Sequence, residues 1–96
     1  MRYEAQAEIW VFHTGSWHFV TLPPEFSDGI RMLRGPKTPG FGSVRVTAEL
    51  GGSTWRTSIF PDSKSGAFVL PIKAEVRKRE GVTAGDTVTV AVEIEI

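Results

Sequence analysis

The stretch from Ser43 to Phe60, SVRVTAELGGSTWRTSIF, decides the fold class. Two runs of β-forming residues flank Gly51-Gly52, and a Gly-Gly pair in that setting signals a two-residue hairpin of type I′ or II′, since only glycine takes positive φ without penalty. The turn sets a register in which Val44 faces Ile59, Val46 faces Thr57, Ala48 faces Trp55 and Leu50 faces Ser53. That face is predicted to be core. The opposite face sets Arg45, Thr47 and Glu49 against Ser58, Arg56 and Thr54, with Glu49 diagonal to Arg56, and is predicted to meet water.

Working outward, DTVTVAVEIEI at the end of the chain alternates Val88, Val90, Val92, Ile94 and Ile96 with Thr87, Thr89, Ala91, Glu93 and Glu95, an unbroken period of two that predicts a strand. Residues Tyr3 to Leu22 are also rich in β-formers and are interrupted once, at HTGS, where Gly15 suits a hairpin turn. A two-residue loop at Thr14-Gly15 places Phe12 opposite Trp17 and Trp10 opposite Phe19 on one face, and Val11 opposite His18 and Ile9 opposite Val20 on the other. Both faces are apolar near the tip, so one of them needs a cover.

Between these hairpins, PPEFSDGIRMLRG reads as a short helix: Pro24 and Glu25 suit its first turn, Gly35-Pro36 ends it, and Phe26, Ile30 and Leu33 form one stripe. Gly29 weakens that helix by about 1 kcal/mol relative to alanine, so tertiary packing must hold it. GPKTPGFG reads as a loop, PDSKSG as a turn and AFVLPI as a strand, and KAEVRKREG makes about two helical turns stopped by Gly81. The pattern predicts one domain over residues 1–96: a small, closed, mainly antiparallel β-barrel of about six strands with one or two short helices.

Composition narrows the function classes. The chain has 96 residues, 41% hydrophobic and 23% charged, as in ordinary globular domains, and room for one core. Eleven basic residues balance eleven acidic ones, so no overall field draws in nucleic acid or an anionic membrane. The absence of cysteine excludes disulfides, thiolate nucleophiles and cysteine zinc sites. No apolar run has signal-peptide or membrane-span character, from which a cytoplasmic location is expected.

The motifs WHFVTLP, FGSVRVTAELGGSTWRTSIFPD and GAFVLPIKAEVRKREGVTAGDTVTV, in that order, resemble the bacterial domain of unknown function 1905 over nearly the whole chain. The resemblance is carried by Trp55, Ser58 and Pro61, by Leu70-Pro71 and by Gly85-Asp86. It implies a small closed β-barrel, found alone or fused to a YdeI or OmpD-associated bacteriocin-protection domain. It implies no activity, substrate or catalytic residue. The chain ends just after its final strand, so no fused helical domain is expected here.

Leu70 to Val90 also resembles swapped-hairpin DNA-binding domains of the AbrB and MazE type, which share a proline, an Arg-bearing turn and Gly-Asp before a strand. Lys73, Arg77, Lys78 and Arg79 supply the basic cluster, but Glu75 and Glu80 interleave with it. A solvated helix face with i, i+4 ion pairs is the preferred reading, and specific nucleic-acid binding is not expected. His13 and His18 do not face each other across the proposed turn, and Asp28 and Glu25 suit the start of a helix, so no metal site or cofactor is expected. Ser58 has Arg45, Thr47 and Arg56 as its strand neighbours and no nearby histidine, which gives no catalytic constellation.

The three tryptophans and six phenylalanines remain. The simplest arrangement docks the first helix on the first hairpin and shields Trp10 and Trp17 as core. The sharper alternative leaves Trp10, Phe12, Trp17 and Phe19 as the surface for a small apolar ligand or protein partner. The resulting expectation is a non-catalytic binding or interaction module, a monomer or weak homodimer, with an AbrB/MazE-like regulator and an enzyme as alternatives.

Overall fold

The computed structural model describes residues 2–12, 15, 17–34, 42–62 and 65–95. They form β1 (Arg2–Glu8), β2 (Trp10–Val11), β3 (His18–Thr21), α1 (Pro24–Arg34), β4 (Val44–Leu50), β5 (Ser53–Pro61), β6 (Phe68–Pro71), α2 (Ala74–Glu80) and β7 (Thr87–Ile94). The strands follow the order β1-β7-β4-β5-β6-β3-β2, and every pairing is antiparallel. The first and last strands of this order, β1 and β2, are consecutive in the chain and separated only by Ile9. That link bends the sheet into a nearly closed barrel and explains why the strand count is seven.

The β4–β5 register is the predicted one, from Val44↔Ile59 to Leu50↔Ser53. Gly51 has φ +59°, whereas Gly52 does not have positive φ, the pattern of a type II′ turn. On β7, Val88, Val90, Val92 and Ile94 are buried, as the alternation requires, and Ile96 lies outside the described residues. The outer face of β4–β5 is polar, but Glu49 does not pair with Arg56. Glu49 instead accepts from Arg2, and Arg56 donates to Glu95, because the neighbouring strands bring those charges closer.

The first hairpin differs from its sequence reading. Trp10↔Phe19 and Val11↔His18 pair as expected, and the Phe12 N–H bonds the Trp17 carbonyl. Gly15 has the anticipated positive φ of 82°, while Thr14 and His13 lie outside the described residues. Ile9, however, does not pair with Val20. Its N–H donates to the Asp86 carbonyl and its carbonyl accepts from the Gly85 N–H, and residues Arg2 to Glu8 pair with β7. One long strand is thus shared between two partners, a barrel corner.

Helix α1 starts at Pro24, as predicted, and its proposed stop at Gly35-Pro36 lies outside the described residues. Phe26 and Ile30 are buried in the core, while the Leu33 side chain lies outside the described residues. The Phe26 ring meets Tyr3 of β1 edge-on at 4.4 Å, and the buried Ser27 Oγ accepts from the Phe68 N–H of β6 at 3.3 Å. The helix therefore bridges β1 and β6 across the seam left by the short β2–β3 pairing. Its glycine has a physical reason: a Cβ on Gly29 would lie 3.2 Å from Tyr3 Cζ and closer still to its hydroxyl.

Helix α2 ends at Gly81 in the left-handed conformation, φ 68°, with its N–H bonded to the Arg77 carbonyl. Its acids do not make i, i+4 pairs. Glu75 meets Lys73 at 3.6 Å, and Glu80 reaches the β4–β5 turn, accepting from the Ser53 hydroxyl at 2.6 Å and the Gly52 N–H at 3.2 Å. The Ser53 hydrogen bond, and after it the Gly52 N–H, hold the Glu80 carboxyl below its ordinary value. A carboxylate with a depressed folded-state pKa adds stability that is present above the unfolded value and lost as pH falls through the folded one. Glu80→Gln is accordingly expected to be less stable than the native protein in urea at neutral pH. The gap should close in acid, below the folded-state value.

Candidate functional site

The strand pairings bring together side chains that are distant in the sequence. On β3 and β6, Phe19 is opposite Pro71 and Thr21 is opposite Val69, and Val69 is opposite Phe60 of β5. These residues share the outer face of the barrel with Trp10, Phe12 and Trp17. Five large apolar side chains are exposed among the described residues, and three of them, Phe12 (43%), Trp17 (57%) and Phe60 (41%), line one depression. Phe19 and the buried Val69 complete its wall, and the hollow measures about 250 Å³.

The expectation that α1 shields this hairpin is therefore corrected. The helix docks at Tyr3 and Phe68, on the seam, and leaves the aromatic face open. Trp17 stacks on Phe19 with ring centroids 5.9 Å apart and planes 9° from parallel, and its other side meets solvent. Trp10 behaves differently. It is half-buried, its ring lies against Phe19 at 5.1 Å, and its indole N–H donates to Thr21 Oγ1 at 2.9 Å, so it buttresses the wall without lining the hollow.

A second hollow, of about 380 Å³, adjoins the first and uses Trp17 as a shared wall. Its origin lies in Pro71. The β5–β6 ladder runs through Pro61↔Phe68 and Phe60↔Val69, and its continuation would place Ser58 opposite Pro71, which has no N–H to donate. The strands part there, the chain turns into α2, and a cleft opens at the barrel rim. Trp55, Arg56, His18, Lys73 and Arg77 also line it.

Arg77 is the best-anchored of these polar groups. Its Nε–H donates to the Ile72 carbonyl at 3.1 Å, and Nη1 lies 3.3 Å from His18 Nε2. An arginine can only donate, so His18 Nε2 accepts and the ring hydrogen sits on Nδ1, which is buried without a hydrogen-bond partner. The other members of the basic cluster separate from Arg77. Lys78 and Arg79 are exposed beyond it, with Arg79 donating to Ser53 Oγ at 3.3 Å, and Lys73 is the only other member to line the cleft.

The remaining candidates are dispersed. His13 lies outside the described residues, and His18 faces Val11 as the hairpin register requires. Among the described residues, no three His, Cys, Asp or Glu side chains gather around a metal-sized centre. Ser58 sits opposite Arg45 on the outer face of β4–β5. Among the described residues no helix is long and apolar enough to cross a membrane.

Sequence reasoning missed Phe60, Val69 and Trp55 as parts of the two hollows. The parity signal for Phe60 was present, since Ile59 points inward and the next residue must point outward. No local signal places β5 beside β6 and β3. No curated protein matches the chain. A family model matches residues 6–92, nearly the whole barrel: the chain belongs to the family described as a domain of unknown function, DUF1905.

Proposed function

We propose that this barrel is a non-catalytic binding module for a small apolar ligand, which it holds in the depression formed by Phe12, Trp17, Phe19 and Phe60. The observation that carries the reading is the gathering of three exposed large aromatic rings around one concave site. Monomeric proteins rarely leave such a patch bare without a use for it. A small ligand is favoured over a protein partner because the surface is hollow and shares its Trp17 wall with a second cleft, whereas protein interfaces of standard size bury about 800 Å² on each side. Lys73, Arg77 and Arg79 of the basic cluster reach different neighbours, Glu75, His18 and Ser53, so no specific nucleic-acid contact is proposed. The protein is proposed to be a monomer, or at most a weak homodimer through the same aromatic face.

Nile red, a neutral apolar dye, tests the reading. The native protein is expected to enhance its emission saturably. A Phe12→Ser/Trp17→Ser variant that keeps the native far-UV spectrum is expected to lose most of the enhancement. An absent response from the native protein, or an equal response from the variant, would rule the site out.

A further inference from the structure

We propose that the ligand of this module is a small apolar carboxylic acid, with its apolar body on the aromatic depression and its carboxylate in the adjoining cleft, on Arg77. This rests on the binding-module reading and adds the chemical class of the ligand. The two hollows lie side by side on Trp17, so the proposed ligand reaches both by passing over the Trp17 ring.

The cleft has the charge of an anion site in a protein with no net charge. Arg56, Lys73 and Arg77 line it, and no Asp or Glu does. Two of these cations already have counter-charges: Arg56 pairs with Glu95, and Lys73 with Glu75 at 3.6 Å. Among the described residues no carboxylate pairs with Arg77. One uncompensated charge matches a monoanion better than a phosphate dianion.

The hydrogen-bond inventory has the same sign. A guanidinium has five N–H donors, and Arg77 uses two of them, on Ile72 and His18. Five less two leaves three donors in a planar fork fixed by those two anchors, the geometry that meets a carboxylate with two parallel bonds. The unused donors of Arg77 are in excess in this cleft, and a ligand that supplies only acceptors matches them. Arg77 is held in place before any ligand arrives, so little side-chain entropy remains to be lost on binding.

Two probes with the same bicyclic body separate the charge from the apolar part: 1-naphthylacetate and the neutral 1-naphthylacetamide. Each is titrated at low salt into ¹⁵N-labelled protein while the indole N–H signals of Trp17 and Trp55 and the Nε–H of Arg77 are followed. Both probes are expected to shift Trp17. The acetate should bind at least about tenfold more tightly, the scale of one added charge-assisted hydrogen bond. In Arg77→Gln that advantage should fall to within about twofold, with amide binding unchanged, and in Arg77→Lys, which keeps the charge without the fork, it should be intermediate. Should Arg77→Gln lose its thermal transition, Arg77→Lys carries the test through a reduced advantage. Equal binding of the two probes by the native protein overturns the proposal, as does an advantage undiminished in both variants, while the binding-module reading stands. Failure of both probes to shift Trp17 overturns that reading as well.

Discussion

Replacing Phe26 by alanine is expected to lower the free energy of unfolding by about 3–5 kcal/mol, the usual range for a large buried aromatic. Phe26 is 1% exposed, meets Tyr3 edge-on and sits one residue before Ser27, whose hydroxyl satisfies the Phe68 N–H. Its removal leaves a cavity where α1 closes the seam of the barrel, and α1 contains a glycine that gives it little stability of its own. Trp17→Ala provides the contrast. Its ring is larger, yet at 57% exposure its loss is expected to cost under about 1 kcal/mol, as for surface positions generally. Urea denaturation of the two variants measures both. A large cost at Trp17 would mean that the aromatic face serves stability before it serves a ligand.

Ile9→Ala is expected to cost about 2–5 kcal/mol, the range for truncating a fully buried aliphatic side chain. Ile9 has no exposed surface and forms the joint between β1, paired with β7, and β2, paired with β3. Its backbone bonds to Asp86 and Gly85 remain possible in the alanine variant, so the loss isolates side-chain packing at the corner. Amide exchange should speed up first at Trp10 and Phe19, because only two residue pairs join β2 to β3. A variant as stable as the native protein would show that closure does not depend on this residue.

The β4–β5 hairpin was fully legible in the sequence because its register is decided within four residues, at the Gly-Gly turn, and then propagates by pairing. Strand β7 was legible from its alternation, and α2 from its Gly81 stop. The first strand was legible only in its second half. Trp10 and Val11 meet β3 through a local turn, but residues Arg2 to Glu8 meet β7, 79 residues away at Glu8↔Thr87 and 91 away at Arg2↔Glu93, and alternation carries no information about a partner so distant.

The candidate site divides in the same way. Phe12, Trp17 and Phe19 could be read from one hairpin, whereas Phe60 and Val69 joined them only through the strand order. The cleft depended on a β5–β6 ladder that ends at Phe60↔Val69, short of Pro71, and on Arg77 arriving beside His18 from the following helix. Proline in a strand could have warned of the first, since it removes a donor. Nothing in the sequence paired Arg77 with His18, and the interleaved acids of α2 suggested i, i+4 ion pairs, whereas Glu80 turns to Gly52 and Ser53 and Glu75 meets Lys73.

Iodide quenching of single-tryptophan variants tests the central claim, that an aromatic face stands open beside a separate buried core. The Trp10→Phe/Trp55→Phe variant emits from Trp17 alone, and Trp10→Phe/Trp17→Phe emits from Trp55 alone. With Trp17 at 57% exposure and Trp55 at 9%, the first is expected to be quenched strongly and the second weakly. Equal, weak quenching of both would show Trp17 to be shielded and would contradict the account.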